Sequence, residues 1–162
     1  MATTFLEMKA PAGLIPKYSA DPEFAVKEAV VKQWQFNKFL YHWVGRDWEW
    51  KNRLGWSDRQ WRDYAENENV RTFIGLKQGA PVGYYELQWQ DGANVEIVYF
   101  GLTPSFIGKG YGGPLLTSAI NTAWEWNARR VWLHTCELDH PAALANYLAR
   151  GFKIYKVIPE NI

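Results

Sequence analysis

The sequence predicts a mixed α/β fold, and three observations predict it. Apolar segments between residues 70 and 102, broken at Gly79-Ala80-Pro81 and at Asp91-Gly92, read as a three-strand antiparallel meander. Four glycines (Gly108, Gly110, Gly112 and Gly113) separate its last strand from an apolar helix. Beyond that helix the pattern runs strand, helix, strand to near the C-terminus. At 162 residues the chain reads as a single domain over 1–162, long enough to bury its own core.

Each element has its own local signal. Residues 3–8 are β-compatible, and Pro11, Gly13 and Pro16 then break the chain. Residues 24–32 alternate Phe24, Val26, Glu28 and Val30 against their neighbours and read as a strand. Phe36, Phe39, Leu40 and Trp43 fall at helical spacing within 34–44, and Gly45 supplies the stop. The charged, aromatic stretch 46–55 reads as a loop. Ser57, with Gln60 three positions on, forms the capping box of a short helix to about Asn67. Strands over 70–76, 82–90 and 94–102 follow. The helix from about Gly112 to Ala128 gathers Leu115, Leu116, Ala119, Ile120, Ala123 and Trp124 on one face. Residues 130–136 read as a strand. Asp139 is the expected N-cap of a helix with Pro141 in its first turn, Leu144, Tyr147 and Leu148 as its buried stripe and Gly151 at its end. Residues 152–159 make the last strand.

Composition excludes several functions. Eighteen Lys and Arg against seventeen Asp and Glu leave no basic excess for nucleic acid or an anionic membrane. No apolar run reaches the roughly 18 residues of a membrane span, and Met1 to Leu6 lacks the pattern of a signal peptide. A cytoplasmic protein is expected. With one cysteine, Cys136, three histidines and no paired ligand spacing, no metal site is expected. His134 and Cys136 share a strand face and read as core packing. Seven of the ten tryptophans (Trp34, Trp43, Trp48, Trp50, Trp56, Trp61 and Trp89) precede residue 90. Such side chains join a large apolar body to one polar edge, which suits a wall or a pocket, with core filling as their other use.

The glycine turn is a device for phosphate. Missing side chains let backbone N–H groups approach an anion, and a helix N-terminus adds unpaired donors. The P-loop reading fails, because Thr103 stands where the first glycine belongs and Gly110 follows Lys109 in place of Ser or Thr. Gly108-x-Gly110-x-x-Gly113 does satisfy the dinucleotide fingerprint, with Glu137 ending the next strand. Against that reading, the loop lies late in the chain and follows a hairpin series, not an opening βαβ unit.

The same loop resembles that of the GNAT superfamily of N-acetyltransferases. Leu102-Thr103-Pro104, then Ile107-Gly108-Lys109-Gly110-Tyr111-Gly112, then Leu115-Leu116 follow the family's V-x-P, Q/R-x-x-G-x-G/A and apolar helix. Ile107 departs from it, standing where the family has Gln or Arg. Tyr147-Leu148-Ala149-Arg150-Gly151-Phe152 fits the family's closing signature, and Val95 to Gly112 is similar to the matching stretch of nuclear histone acetyltransferases. The resemblance is good over residues 70–157 and weak before them. It extends to a bacterial-type subgroup with the Trp-rich segment and the Asp139-His140-Pro141-x-Ala143-Leu144 run.

The resemblance implies a mixed, mostly antiparallel sheet, splayed after the third meander strand, with helices on both faces. It implies acetyl-CoA as co-substrate, with its pyrophosphate on Ile107, Gly108, Lys109, Gly110, Tyr111, Gly112 and Gly113. Backbone groups of Phe100, Gly101 and Leu102 face the pantetheine arm and the thioester oxygen. His140 takes the place of the family's pantetheine-binding Asn, with helix capping as its other use. The reaction is direct attack by a primary amine of a small molecule or peptide. Deprotonating an amine of pKa near 10.4 at neutral pH costs roughly 4–5 kcal/mol, so a positioned base matters. Glu96 matches the family's general base, with Glu86 as competitor, and Tyr147 matches the acid that protonates the leaving thiolate. Trp43, Trp48 and Trp50 are candidates for an aromatic acceptor pocket. A homodimer is the assembly considered. The alternatives are an acyl-CoA-binding module without turnover and a dinucleotide-binding protein.

Overall fold

The structure, a computed structural model, describes residues 2–160. Seven strands form one sheet: β1 (Thr3–Met8), β2 (Phe24–Glu28), β3 (Val70–Lys77), β4 (Ala80–Gln90), β5 (Asn94–Leu102), β6 (Arg130–Cys136) and β7 (Lys153–Ile158). Their spatial order is β2-β3-β4-β5-β6-β1-β7. Every pairing is antiparallel except β5 with β6, which is parallel and only three residues long: Asn94↔Arg130, Val95↔Val131 and Glu96↔Trp132. Beyond Glu96 and Trp132 the two strands part, so the sheet is splayed where expected. An antiparallel meander of this kind is incompatible with the doubly wound parallel sheet of a dinucleotide fold.

Helices cover both faces. On one, α3 (Gly112–Glu125) lays Leu115, Leu116, Ala119, Ile120 and Ala123 against Leu87, Val95, Val131 and Leu133. On the other, Leu40 and Val44 of α1 (Trp34–Gly45) pack on Ile74 and Tyr84. The short α2 (Asp58–Ala65) starts at the expected capping box: Gln60 N–H donates to Ser57 Oγ at 3.2 Å, and Ser57 N–H donates to Gln60 Oε1 at 2.8 Å. α4 (Ala143–Ala149) ends at Gly151, whose φ of 106° a side chain rarely adopts.

Several boundaries differ from expectation. β2 stops at Glu28, because Lys32 turns away to donate to the carbonyls of Asn67 at 2.6 Å and Val70 at 2.5 Å. A single 3-10 turn, Arg46–Trp48, replaces a pure loop after α1. Asp139 does not cap α4. That helix begins three residues later behind Ala142, and Asp139 instead accepts from Cys136 N–H at 3.1 Å and from the hydroxyl of Thr135, closing the end of β6.

Candidate active site

The parting of β5 from β6 opens a cavity of ≈ 1160 Å³. β5 runs along it from Glu96 at the vertex to Leu102 beside the glycine loop, about 20 Å at the usual rise per residue. On the cavity side, residues 97–102 have no strand partner among the described residues, which leaves this edge of β5 open. Phe100, Gly101 and Leu102 line the cavity, as expected. A β-bulge sharpens this wall. Tyr99 faces Glu86 and Ile97 faces Leu87, which leaves Val98 as the extra residue. The β-branched run around Val98 carried no signal for the bulge.

At one end, Gly108 and Gly110 have φ of 77° and 89°, and a Cβ on either meets nothing within 4 Å. The loop therefore needs glycine for its backbone and not for space. Gly112 and Gly113 open α3 with N–H groups that no carbonyl of the described residues meets. Their exposed donors and open surroundings fit an anionic diphosphate. Ile107, Gly108, Gly110, Gly112 and Gly113 all line the cavity. The side chains of Lys109 and Tyr111 point elsewhere. Lys109 Nζ lies 5.9 Å over the Phe106 ring. The Tyr111 hydroxyl donates to Asp21 Oδ2 at 2.6 Å and accepts from Lys77 Nζ at 3.2 Å. Lys77 and Tyr111 together hold the Asp21 carboxyl down to about 2 and brace the loop from behind. Neither Lys109 nor Tyr111 is part of the cavity lining. We expect Gly108→Ala and Gly110→Ala to cost about 1–2 kcal/mol each in loop strain, and to weaken acetyl-CoA binding measured by calorimetry without unfolding the core.

Tyr147 projects from α4 into the cavity wall, 6% exposed, between the rings of Phe100 and Phe152. Burial, aided by the charge of Asp139, raises its phenol well above the ordinary value. The hydroxyl thus carries its proton at neutral pH, while the same shift makes it a weaker acid. Beside it Asn146, which the sequence reading missed, donates from Nδ2 to the Gly112 carbonyl at 3.1 Å and ties α4 to the loop. His140 Nδ1 accepts from Ala142 N–H at 3.0 Å, and its ring meets Trp48 edge-on at 4.8 Å. It therefore shapes the turn into α4 while still lining the cavity.

At the vertex, Glu96 is 8% exposed and faces the cavity. Burial raises its carboxyl above the ordinary value of 4.5, against the pull of His134 and of the Gln90 hydrogen bond. Glu86, its competitor, is fully buried and outside the cavity lining. Both its oxygens accept from one Arg53 nitrogen, at 3.1 and 3.0 Å.

The Trp-rich segment wraps this ion pair and walls the cavity. The Arg53 guanidinium carbon lies 4.1 Å from the Tyr64 ring centre, 4.5 Å from Tyr99 and 4.7 Å from Trp56, with Trp61 and Tyr41 behind. Trp48, Trp50 and Trp56 line the cavity, and Trp50 Nε1 donates to Asp139 Oδ1 at 3.2 Å. Trp43 is not part of the lining; it packs beside Leu40 and Val44. Opposite them, Phe5 stacks on Trp132 at 6.4 Å.

A glycine-cradled helix start, a strand edge freed by a splay, and a buried carboxylate at its vertex form one continuous site. Residues 37–152 match the family model described as Acetyltransferase (GNAT) family. This chain belongs to the GNAT family of acetyltransferases. A mycothiol acetyltransferase of Corynebacterium aurimucosum is 28% identical over 86% of this chain, which covers 48% of that protein. An uncharacterised N-acetyltransferase of Mycobacterium tuberculosis is 30% identical over 60% of the chain and 62% of its own length. The chain thus spans about half to three-fifths of the length of these curated GNAT relatives. Among solved structures, a GCN5-related N-acetyltransferase from Kribbella flavida superposes with a TM-score of 0.67 at 17% identity, over 95% of this chain and 55% of that one. An aminoglycoside acetyltransferase from an uncultured soil metagenomic sample gives 0.65 at 16% identity, over 82% and 90%. These two show the shared fold.

Proposed function

We propose that the chain is an acetyl-CoA-dependent N-acetyltransferase, working as one domain, whose acceptor is a primary amine with an apolar, aromatic-lined body. One observation carries this reading: a single cavity joins the glycine loop, the free edge of β5 and an aromatic chamber, with Glu96 and Tyr147 on its walls. Ile107 to Gly113 would hold the pyrophosphate through backbone N–H groups, and residues 98–102 the pantetheine arm. Bound there, acetyl-CoA supplies an activated thioester. Trp48, Trp50, Trp56, Tyr99 and the Phe5–Trp132 stack surround the space left for the acceptor.

The chain's own groups meet the needs of the chemistry. Glu96, kept less acidic than a solvent carboxylate, takes the proton of the incoming ammonium. The bulge at Val98 lies on the open edge of β5 in the cavity wall, where a backbone N–H would stabilise negative charge on the thioester oxygen. The Tyr147 phenol supplies a proton to the leaving sulfur. Cys136 lines the cavity, but direct attack needs no acyl-enzyme.

The test is release of free coenzyme A thiol from acetyl-CoA across a panel that includes 2-phenylethylamine, tryptamine, glucosamine and spermidine. Arylalkylamines should be turned over fastest. Tight acetyl-CoA binding with no release for any amine would leave a binding module in place of an enzyme. Tyr147→Phe should lower kcat about a hundredfold with little change in acetyl-CoA affinity; equal kcat would remove the tyrosine from the reaction.

A further inference from the structure

One titratable side chain in the cavity has no task in the reaction so far. His134 stands on β6, beyond the splay from Glu96, with its side chain 40% exposed. Its Nε2 lies 3.7 Å from Glu96 Oε2. The other Glu96 oxygen, Oε1, accepts from Gln90 Nε2 at 2.9 Å. Gln90 is fixed in turn by Trp132 Nε1, which donates to its Oε1 at 3.0 Å. The carboxylate therefore has one oxygen engaged and one turned to the imidazole.

This arrangement answers a problem of turnover. Glu96 is nearly enclosed, so a proton taken there needs a way out before the next cycle. A side chain that both accepts and donates a proton and reaches from the carboxylate to water is suited to it, and the half-exposed imidazole of His134 is placed to do so. We propose that His134 relays the amine's proton from Glu96 to solvent. The ammonium N–H bond breaks as an O–H bond forms on Glu96. That O–H bond breaks as Nε2–H forms on His134; the exposed imidazolium gives one proton to water, and exchange with solvent returns the remaining proton to Nδ1, so that Nε2 is free for the next cycle. Only protons move, and no further reactant is needed.

The surroundings leave this route open. Arg53, on the segment between α1 and α2, and Glu86 on β4 face Glu96 from behind but neutralise each other in their own pair. Tyr64 of α2 adds a phenol that burial keeps protonated. On the His134 side, Phe5 of β1 packs at 5.5 Å, and Lys156 of β7 lies beyond it, 5.5 Å over the Phe5 ring. Among the described residues, His134 pairs with no other carboxylate or ammonium.

The relay rests on Glu96 being the base, and two readouts separate the two ideas. The first needs no acceptor. The Glu96 carboxyl carbon, followed by NMR, should titrate at higher pH in His134→Gln than in the wild type, because an opposing positive charge is gone. An unchanged titration overturns the pairing. The second uses acetyl-CoA and 2-phenylethylamine. His134→Ala should lose at least about tenfold in kcat with KM nearly unchanged, and added free imidazole should restore rate. Glu96→Gln should not be rescued. Undiminished kcat, or a loss that imidazole does not repair, overturns the relay. If the wild type leaves 2-phenylethylamine unmodified, the proposed acceptor class fails, while the NMR titration still decides the pair.

Discussion

Replacing Arg53 by alanine is expected to cost about 3–5 kcal/mol of folding stability, more than any change on the protein's surface. Arg53 and Glu86 are 4% and 0% exposed, and among the described residues each is the other's only charged contact within hydrogen-bond reach. Removing the cation leaves the buried Glu86 carboxylate without its counter-charge. Urea unfolding should show a large drop in midpoint with little change in slope. Replacing both partners together, Arg53→Met with Glu86→Leu, should recover most of the loss, because an apolar pair needs no solvation there. A loss under about 1 kcal/mol for the single variant would mean that Glu86 accepts a proton and stands neutral. The consequence reaches the cavity, since Trp56, Tyr64 and Tyr99, which enclose Arg53, also line it.

Glu96→Gln is expected to lower kcat at neutral pH by about 10²–10⁴, without destabilising the protein. The sign follows from the direction of its shift. Burial raises the Glu96 carboxyl above its ordinary 4.5, so its protonated form is favoured in the folded state. Its contribution to stability is present at acid pH and is lost as pH rises through the raised value. A neutral glutamine escapes that loss. Relative to wild type, the variant should therefore gain thermal stability as pH climbs from about 4.5 toward neutrality. An inactive variant that also melts earlier at pH 7 would indicate a structural role for Glu96 in place of a chemical one.

How much was legible from sequence depends on how local each cause is. The capping box at Ser57, the hairpin at Asp91-Gly92 and the apolar face of α3 are contained within a few residues, and all appear where the pattern placed them. The glycine loop was legible for the same reason. The missed features join distant parts of the chain. Arg53 meets Glu86 across 33 positions, and Trp50 meets Asp139 across 89. Asp139 and Ser57 look alike as caps in sequence, but only the end of β6, with Thr135 and Cys136 turned toward it, decides what Asp139 binds. The bulge at Val98 was hidden because an inserted residue changes no composition, only the register against β4. His134 read as core packing, because a strand's alternation gives its face but not that the neighbouring strand has moved away.

The three-residue zip between β5 and β6 carries a consequence of its own. Two leaves of sheet, four strands and three, are joined by little more than a clasp at residues 94–96 and the helix packed behind it. Past the clasp, the facing edges of the two leaves are unpaired with each other among the described residues. An extended ligand with amides of its own would bridge those edges, as a guest strand does at a sheet edge. Occupancy and mechanical continuity would then be the same event. The filled protein should unfold as one block, and amide exchange along residues 97–102 should slow to the pace of the core.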